Sequence, residues 1–355
     1  MTSLQRVQCA INHEQPDRVP VDLRFSDETW VMLKEYLSLG DDALWEWIGQ
    51  DVVTVRPVFT RAVTTVRYAD PTVIIDENGY YLDIYRVPFR KVKTTYQEYL
   101  EMVSLPPLAD YETAQNLDSF PWPTTEGWDY SGIPALIDCV RGKAVWARSR
   151  GCFQVAQMMR GMDTFLVDLA TEPAFACAIL EHISHFVEQD AKLTLESSNG
   201  KYTFIEYNDD VATQRGMLIS PEMWRKYLKP IMKRFCDMVH SFGANVKYHS
   251  CGSIYDIIPD LIEIGVDILN PIQPLAANMD PFRIKKEFGN DICLHGGVDI
   301  QRLLPEATVN QVRGHVRKMI DLLGCGGGYI LAGSHTIQSD AKAENIVAVI
   351  QAISA

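Results

Sequence analysis

The chain has 355 residues, of which 47% are apolar and 22% are charged, and its formal net charge is -13. These proportions are typical of a globular protein, and a (β/α) barrel reaches such a length as one domain. The acidic balance argues against a nucleic-acid partner, which needs a basic surface, and against binding to an anionic membrane.

Eight cysteines are scattered along the chain, mostly inside apolar runs. This pattern is typical of reduced thiols in a cytoplasmic enzyme and not of a disulfide framework. The first residues lead into no apolar segment of the kind found in signal peptides. No run of about 18 apolar residues predicts a membrane helix. We therefore expect a cytoplasmic protein.

Short apolar segments alternate with helical stretches, and the later ones recur at the spacing of βα units. Eight such segments predict an α/β fold, a (β/α)8 TIM-type barrel. An open doubly wound sheet is the alternative, but no Gly-x-Gly-x-x-Gly follows an early strand. In chain order, the predicted strands are residues 19–23, 51–55, 143–147, 202–205, 246–253, 266–269, 291–294 and 329–332.

Residues 60–128 interrupt the alternation of strands and helices. Within residues 72–82, Asn78-Gly79 stands between β-rich runs, which is a strong signal for a hairpin. Residues 86–92 continue with β-like alternation. We predict an antiparallel β insertion after strand two, in a chain that forms a single domain over residues 1–355.

Polar and titratable side chains crowd the carboxyl ends of the predicted strands. In a (β/α) barrel these ends carry the active site, so the pattern predicts an enzyme. For Asp22 and Asp299, a structural role as acceptors for loop amides is as good an explanation as a role in the active site. Asn270 and Gln273 could likewise fix loops instead of contacting substrate. The strand-end residues are Asp22, Arg24, Arg56, Arg148, Arg150, Glu206, Asp209, Asp210, His249, Cys251, Asn270, Gln273, His295, Asp299, Ser334, His335 and Gln338.

His249 and Cys251 lie two residues apart at the end of predicted strand five. On an extended backbone their side chains point to the same face, and an imidazole beside a thiol is half of a zinc site. His335 follows strand eight and is the first candidate for the third ligand, before Glu206 and His295. Two imidazoles and one thiolate leave a position open, as catalytic zinc sites do. A buried cysteine beside a hydrogen-bonded histidine remains the alternative.

Three arginines, Arg56, Arg148 and Arg150, stand at the predicted barrel mouth. They favour a ligand that carries a carboxylate or a phenolate, although ion pairs at the rim would also explain them. We assign substrate binding to the strand-end residues Arg24, Arg148, Arg150, Asn270 and Gln273. Aromatic residues such as Phe25, Trp30 and Trp128 either line the pocket or pack in the core.

The strand-end motifs resemble those of the uroporphyrinogen decarboxylase-like superfamily, which includes the corrinoid-dependent methyltransferases. The resemblance covers nearly the whole chain and implies a (β/α) barrel. The residues that carry it are Gln15-Pro16-Asp17-Arg18-Val19-Pro20-Val21, Phe120-Pro121-Trp122-Pro123, Asp209-Asp210-Val211-Ala212-Thr213-Gln214-Arg215-Gly216, His249-Ser250-Cys251-Gly252-Ser253, Asp267-Ile268-Leu269-Asn270-Pro271-Ile272-Gln273-Pro274, Gly296-Gly297-Val298-Asp299 and Gly328-Tyr329-Ile330-Leu331-Ala332.

The chain differs at one place from the motif of each of two branches of that superfamily. Its decarboxylases carry an Arg-Gln-Ala-Gly-Arg signature near the first strand, where this chain has Asp22-Leu23-Arg24-Phe25-Ser26-Asp27. Its methyltransferases carry zinc on a His-x-Cys pair and on a distant Cys in a Leu-Ala-Pro-Gly-Cys-Gly-like segment. Here Leu331-Ala332-Gly333-Ser334-His335 matches that segment, with His335 where the Cys would stand.

The resemblance therefore implies a zinc-dependent methyltransferase. It would move a methyl group between a small methylated donor and a corrinoid (cobalamin) on a partner protein. Zinc with two imidazoles and one thiolate is a stronger Lewis acid than zinc with two thiolates. That difference suits the departure of an oxygen, as in the O-demethylation of an aryl methyl ether. Asp209, Asp210 or Tyr207 would supply the proton, and Glu206 belongs to the same catalytic cluster.

Two other functions remain open. One is a metal-free decarboxylase or lyase that acts on a carboxylated substrate held by arginines. The other is a binding protein that carries a corrinoid or tetrapyrrole without reaction. For the methyltransferase, the expected partners are a corrinoid protein and a small-molecule methyl donor or acceptor, with no nucleic acid and no membrane. A homodimer is left open.

Overall fold

The computed structural model describes residues 1–63, 73–93 and 98–353. None of the helices in these ranges is long and apolar enough to cross a membrane. The helices are α1 (Ser3–Ile11), α2 (Asp27–Leu37), α3 (Asp41–Ile48), α4 (Ala114–Leu117), α5 (Ile133–Cys139), α6 (Cys152–Arg160), α7 (Met162–Thr171), α8 (Pro173–Ser197), α9 (Pro221–Tyr227), α10 (Lys229–Ser241), α11 (Ile258–Glu263), α12 (Pro281–Phe288), α13 (Leu303–Glu306), α14 (Val309–Leu323) and α15 (Ala343–Ile353).

The described strands fall into a parallel set and an antiparallel set. They are β1 (Val52–Thr54), β2 (Val58–Phe59), β3 (Ile74–Ile75), β4 (Tyr81–Leu82), β5 (Pro88–Lys93), β6 (Glu98–Met102), β7 (Trp128–Asp129), β8 (Ala144–Arg150), β9 (Phe204–Asn208), β10 (Asn245–His249), β11 (Ile268–Ile272), β12 (Cys293–Val298) and β13 (Tyr329–Gly333). The parallel sheet has the order β1-β8-β9-β10-β11-β12-β13. Strands β9, β11, β12 and β13 are buried along their whole length, because helices cover the sheet.

The predicted first strand closes the barrel without forming a regular ladder. Val21 makes an isolated parallel bridge with Leu331 of β13. On the other side, the amide of Asp51 donates to the carbonyl of Val21 at 3.0 Å. Side chains replace part of the ladder here: the carboxylate of Asp51 accepts from the Val21 amide, also at 3.0 Å. Together with the seven parallel strands, this segment confirms the TIM-type fold.

Several strands extend further towards their carboxyl ends than predicted. Glu206 and Tyr207 lie inside β9, Asn270 lies inside β11, and His295 lies inside β12. The predicted strands ended at Ile205, Leu269 and Leu294, directly before these polar residues. In the structure Asn270 and His295 bond with each other inside the barrel, and Glu206 pairs there with Lys247. Tyr207 points outwards, to Cys152.

The antiparallel insertion after strand two is confirmed. Strands β3, β4, β5 and β6 form a four-stranded antiparallel sheet, and β2 pairs with β7. The Asn78-Gly79 turn joins β3 to β4, and Gly79 adopts a φ of +80° that suits glycine. Thr72 of the predicted hairpin and residues 64–71 and 94–97 of the predicted insertion lie outside the described residues. The assignment of residues 1–355 to a single domain stays a prediction.

Candidate metal centre

The carboxyl ends of the parallel strands surround a cavity of about 210 Å³, which we call the central cavity. Its lining comes from β8 to β13 and from the closing segment, as expected for the active-site end of a barrel. The lining residues are Asp22, Arg24, Arg148, Glu206, Asn208, His249, Asn270, Pro271, His295, Ala332, Gly333, His335 and Thr336.

His249 and His335 line this cavity and Cys251 lies beside them, with one ligand atom of each residue within 4.8 Å of the others. The Cys251 Sγ lies 3.7 Å from the His249 Nε2. Zinc bonds of about 2.3 Å to sulfur and about 2.0 Å to nitrogen, at a tetrahedral angle, would place these atoms about 3.5 Å apart. The three residues therefore fit a zinc ion. They also leave a coordination position for another molecule.

The turn after Cys251 depends on Gly252. This glycine has a φ of +89°, and a Cβ built on it would lie 2.4 Å from the carbonyl oxygen of Thr213. Another residue would therefore clash with the neighbouring loop and move the Cys251 backbone. The amide of Cys251 in turn donates to the Asp210 carboxylate at 2.7 Å.

A chain of hydrogen bonds runs from the candidate ligand His249 into the barrel. The His249 Nδ1 is 2.6 Å from the Asn270 Oδ1, and the Asn270 Nδ2 is 2.6 Å from the His295 Nδ1. The His295 Nε2 is 2.9 Å from the Asp22 Oδ2. We call this series of residues the Asp22–His249 chain.

The charge on Asp22 determines which atoms donate and which accept in the Asp22–His249 chain. Although burial acts to raise it, the pKa of Asp22 lies well below its usual range because of Arg24, His295 and Lys247. Ionised Asp22 accepts from the His295 Nε2–H, so the His295 Nδ1 accepts from the Asn270 amide group. The Asn270 oxygen then accepts from the His249 Nδ1–H. This leaves the His249 Nε2 with its lone pair towards Cys251, as a metal ligand requires.

Burial keeps the two chain histidines neutral, since it lowers the pKa of His249 and of His295 to about 4. Burial and then the Asp210 carboxylate raise the pKa of the Cys251 thiol to about 12. Cysteine ligates metals as the thiolate. A cation at this position would therefore have to displace the thiol proton.

Gln273 joins the loops that carry the candidate ligands. Its Oε1 accepts from the Gly252 amide at 2.6 Å, one residue after Cys251. Its Nε2 donates to the Ser334 carbonyl at 3.4 Å, one residue before His335. Gln273 does not line the central cavity. Of the two predicted roles, binding substrate or fixing loops, its hydrogen bonds fit the second; its part in substrate binding stays a prediction.

A buried network of charges lies beneath the cavity. The Lys247 Nζ is 2.9 Å from the Glu206 Oε2 and stands over the Trp146 ring at 4.1 Å. The Arg24 Nη2 also contacts this carboxylate, at 3.2 Å. Burial lowers the pKa of Lys247 to about 8. Glu206 and Arg24 thus belong to the cavity, as predicted, but they are already paired with each other.

Lys247 is not among the predicted site residues, although the sequence contains one signal for it. It precedes His249 by two residues, so both side chains point into the barrel from the same strand. His295 was predicted only as a competing metal ligand. Both ring nitrogens of His295 are used in the Asp22–His249 chain, and Glu206 is held by Lys247 and Arg24. The geometry therefore favours His335 as the third ligand.

The predicted catalytic residues lie in β9 and in the loop that follows it, and they point to different sides. Tyr207 points away from the cavity, where its hydroxyl donates to the Cys152 Sγ at 3.2 Å and its ring packs on Phe235. Asp209 accepts from the amide of Gln154 at 2.7 Å and so caps the first turn of α6. Burial raises the pKa of Asp209 to about 7.

Asp210 faces the candidate metal ligands. Its Oδ1 lies 3.8 Å from the His249 Nε2, and its Oδ2 accepts from the Gln154 side chain at 2.9 Å. Of the three predicted proton donors, Asp210 is the group that the structure places beside the ligand cluster.

The predicted arginines lie at different places around the mouth. The Arg148 Nη2 donates to the Asn208 Oδ1 at 2.7 Å and lines the central cavity. Arg150 lines a second cavity next to it, and its Nη2 lies 3.1 Å from the Met158 sulfur.

The fold and this site define a (β/α) barrel with a candidate His, Cys and His metal centre at its mouth. The model of the uroporphyrinogen decarboxylase (URO-D) family matches residues 140–355 of the chain. That region is more than half of the sequence and contains all three candidate ligands. The chain therefore belongs to the URO-D family.

One curated protein and one solved structure are similar to the chain. The methylated-thiol–coenzyme M methyltransferase of Methanosarcina mazei is 24% identical over 183 residues, which cover 50% of this chain and 46% of that protein. The match thus spans about half of the relative's length. A solved structure described as a methyltransferase from Methanosarcina mazei has a TM-score of 0.70 at 16% identity. It covers 100% of this chain and 98% of that one. At this identity the likeness shows a shared fold.

Proposed function

We propose that the protein is a zinc-dependent methyltransferase of the cytoplasm. It moves a methyl group between a small methylated compound and the corrinoid cofactor of a partner protein. The observation that carries the proposal is the cluster of His249, Cys251 and His335 at the mouth of a URO-D family barrel. The similarity to a methyltransferase of the same fold supports it. The free state of all eight cysteines supports a reducing compartment.

The three clustered residues would hold the zinc ion, and the Asp22–His249 chain supports this role because it presents the His249 Nε2 as an acceptor. When bound, zinc supplies Lewis acidity to the heteroatom that carries the methyl group. A ligand set of two neutral imidazoles and one thiolate donates less negative charge than a set with two thiolates. We therefore propose an oxygen-bound methyl group, as in an aryl methyl ether.

The residues around the metal centre handle the rest of the chemistry. Asp210 lies beside the ligand cluster and is the group best placed to hold a proton for the oxygen that loses its methyl group. Arg24, Arg148 and Asn208 also line the central cavity, where they orient the substrate. The open mouth of the barrel gives the corrinoid of the partner protein access to the methyl group.

Metal analysis of the purified protein tests the proposal. We expect about one zinc per chain in the unaltered protein and a large loss of zinc in Cys251→Ala and in His335→Ala. Arg317→Ala, which changes an exposed residue of α14, is the matched control and should retain its zinc. Full activity of a zinc-free protein on a carboxylated substrate would instead support a metal-free decarboxylase and refute the proposal.

A further inference from the structure

A second cavity of about 290 Å³ lies beside the central cavity, and we call it the side pocket. It opens to solvent and is lined by the loop after β1, by β2, by the segment between β4 and β5, and by β7, β8 and α8. Arg148 lines both cavities, so a ligand in the side pocket lies next to the central cavity. The residues that line it are Arg56, Pro57, Val58, Phe59, Ile84, Tyr85, Trp128, Arg148, Ser149, Arg150, Phe186, Val187 and Asp190.

Aromatic side chains form much of the wall of the side pocket. Phe59 and Trp128 meet edge to face with ring centroids 4.9 Å apart, and Tyr85 and Phe186 meet likewise at 5.9 Å. Such walls favour a flat aromatic ligand, because rings pack edge to face or offset on one another. An apolar cavity of about 150 Å³ holds benzene. The side pocket therefore has room for a substituted ring.

The aromatic wall contains a polar atom, the Nε1 of Trp128. The Trp128 Nε1 is buried and has no hydrogen-bond acceptor among the described residues. A buried N–H without an acceptor carries a free-energy cost, because it has lost its hydrogen bond to water. A ligand with an oxygen atom near Trp128 would remove this cost.

The charge of the lining favours an anion. Three guanidinium groups, those of Arg56, Arg148 and Arg150, line the side pocket together with the carboxylate of Asp190. The Asp190 Oδ1 accepts from the Tyr130 hydroxyl at 2.7 Å. Arginine binds carboxylates through paired, charge-assisted hydrogen bonds. The lining thus combines an aromatic wall with a site for a carboxylate.

We propose that the side pocket binds an aromatic carboxylate and that this is the substrate class of the enzyme. The ring lies between Phe59, Trp128 and Phe186, and Arg56 and Arg150 hold the carboxylate. The methyl-bearing oxygen is directed past Arg148 towards the metal centre. This inference rests on the proposed methyl transfer, and it names the compound that carries the methyl group.

Calorimetry on the zinc-loaded protein tests the inference. It measures the binding of 4-methoxybenzoate and of its uncharged analogue methoxybenzene. We expect Arg56→Gln to weaken methoxybenzoate binding at least tenfold and to change methoxybenzene binding less than twofold. Phe59→Ala, which removes part of the wall, should weaken both ligands. Arg317→Gln makes the same change of charge on α14 and should leave both affinities unchanged.

The outcomes separate this inference from the proposed function. If both ligands bind equally well, or if Arg56→Gln and Phe59→Ala bind them like the unaltered protein, the side pocket is not the substrate site. Methyl transfer from other small donors would then still support the proposed function. If binding follows the expected pattern but no methyl group reaches a corrinoid, the pocket stands and the proposed reaction fails.

Discussion

Asn270→Ala is the most informative single change, because Asn270 is the central residue of the Asp22–His249 chain. The change removes two hydrogen bonds of 2.6 Å, one to each chain histidine. In the metal-free protein, the His249 ring is then no longer held in the form that carries its proton on Nδ1. Zinc binding still requires that form, since the metal takes the Nε2 lone pair. We therefore expect the zinc affinity to fall.

The size of the loss follows from the geometry. With zinc bound, the His249 Nδ1–H is buried and would have no acceptor, which costs about 1–3 kcal/mol. That cost corresponds to a factor of about 5–150 in affinity. Changes to the hydrogen-bond partners of metal ligands elsewhere typically cost about 10–100-fold. The two arguments agree on a loss of about one to two powers of ten.

Competition for zinc with a chromophoric chelator measures this affinity, and thermal unfolding of the metal-free variant checks that its fold is intact. Asn245→Ala is the matched control, because Asn245 begins the same strand, β10, and its side chain donates to the Thr203 carbonyl at 3.0 Å. The control loses a hydrogen bond far from the cavity and should keep its zinc affinity. If the Asn270→Ala protein is folded and binds zinc as tightly as the unaltered protein, the Asp22–His249 chain does not support zinc binding by His249.

Three further predictions concern other parts of the molecule. Gln273→Ala should lower zinc affinity several-fold without loss of fold, because it releases the loops of Cys251 and His335; an unchanged affinity in the chelator assay would contradict this. Gly151→Ala should lower the free energy of unfolding by about 1–3 kcal/mol, since its Cβ would lie 2.0 Å from the Asp209 Cβ, whereas Gly132→Ala has open space and should not. The hydrogen bond of 2.8 Å to Asp267 raises the pKa of His240. The pair therefore makes its whole contribution to the free energy of unfolding below about pH 6.5, and this contribution is lost as the pH rises through the raised pKa. His240→Gln should therefore cost stability at pH 5.5, by less than about 1 kcal/mol because the pair is half-exposed, and cost less at pH 9 in urea unfolding; an equal cost at both values would count against the ion pair.

The sequence predicted the parts of the site that depend on strand order. His249 and Cys251 share a face because they lie two residues apart at the end of a strand, and His335 reaches them because it follows a strand of the same barrel. The direction of Tyr207 was also within reach of the sequence. Glu206 points inwards, so the next residue along a strand points outwards.

Other features depend on contacts between distant segments. The Asp22–His249 chain joins residues from four strand positions, and no spacing in the sequence shows which nitrogen of His295 meets which partner. The apolar pattern around Val21 predicted a regular strand. The segment instead closes the barrel through hydrogen bonds with the side chains of Asp51 and Gln50, which the pattern does not show. The side pocket depends on where the insertion lies on the barrel. The sequence indicates that an insertion exists but not its position.

The measurement that tests the central claim most directly is methyl transfer to cobalamin with and without zinc. The protein is incubated with Co(I) cobalamin and 4-methoxybenzoate, and the formation of methylcobalamin is followed by its visible absorbance. We predict transfer by the zinc-loaded protein, its loss after removal of the metal, and its return when zinc is restored. Transfer at the same rate by the zinc-free protein would contradict the account.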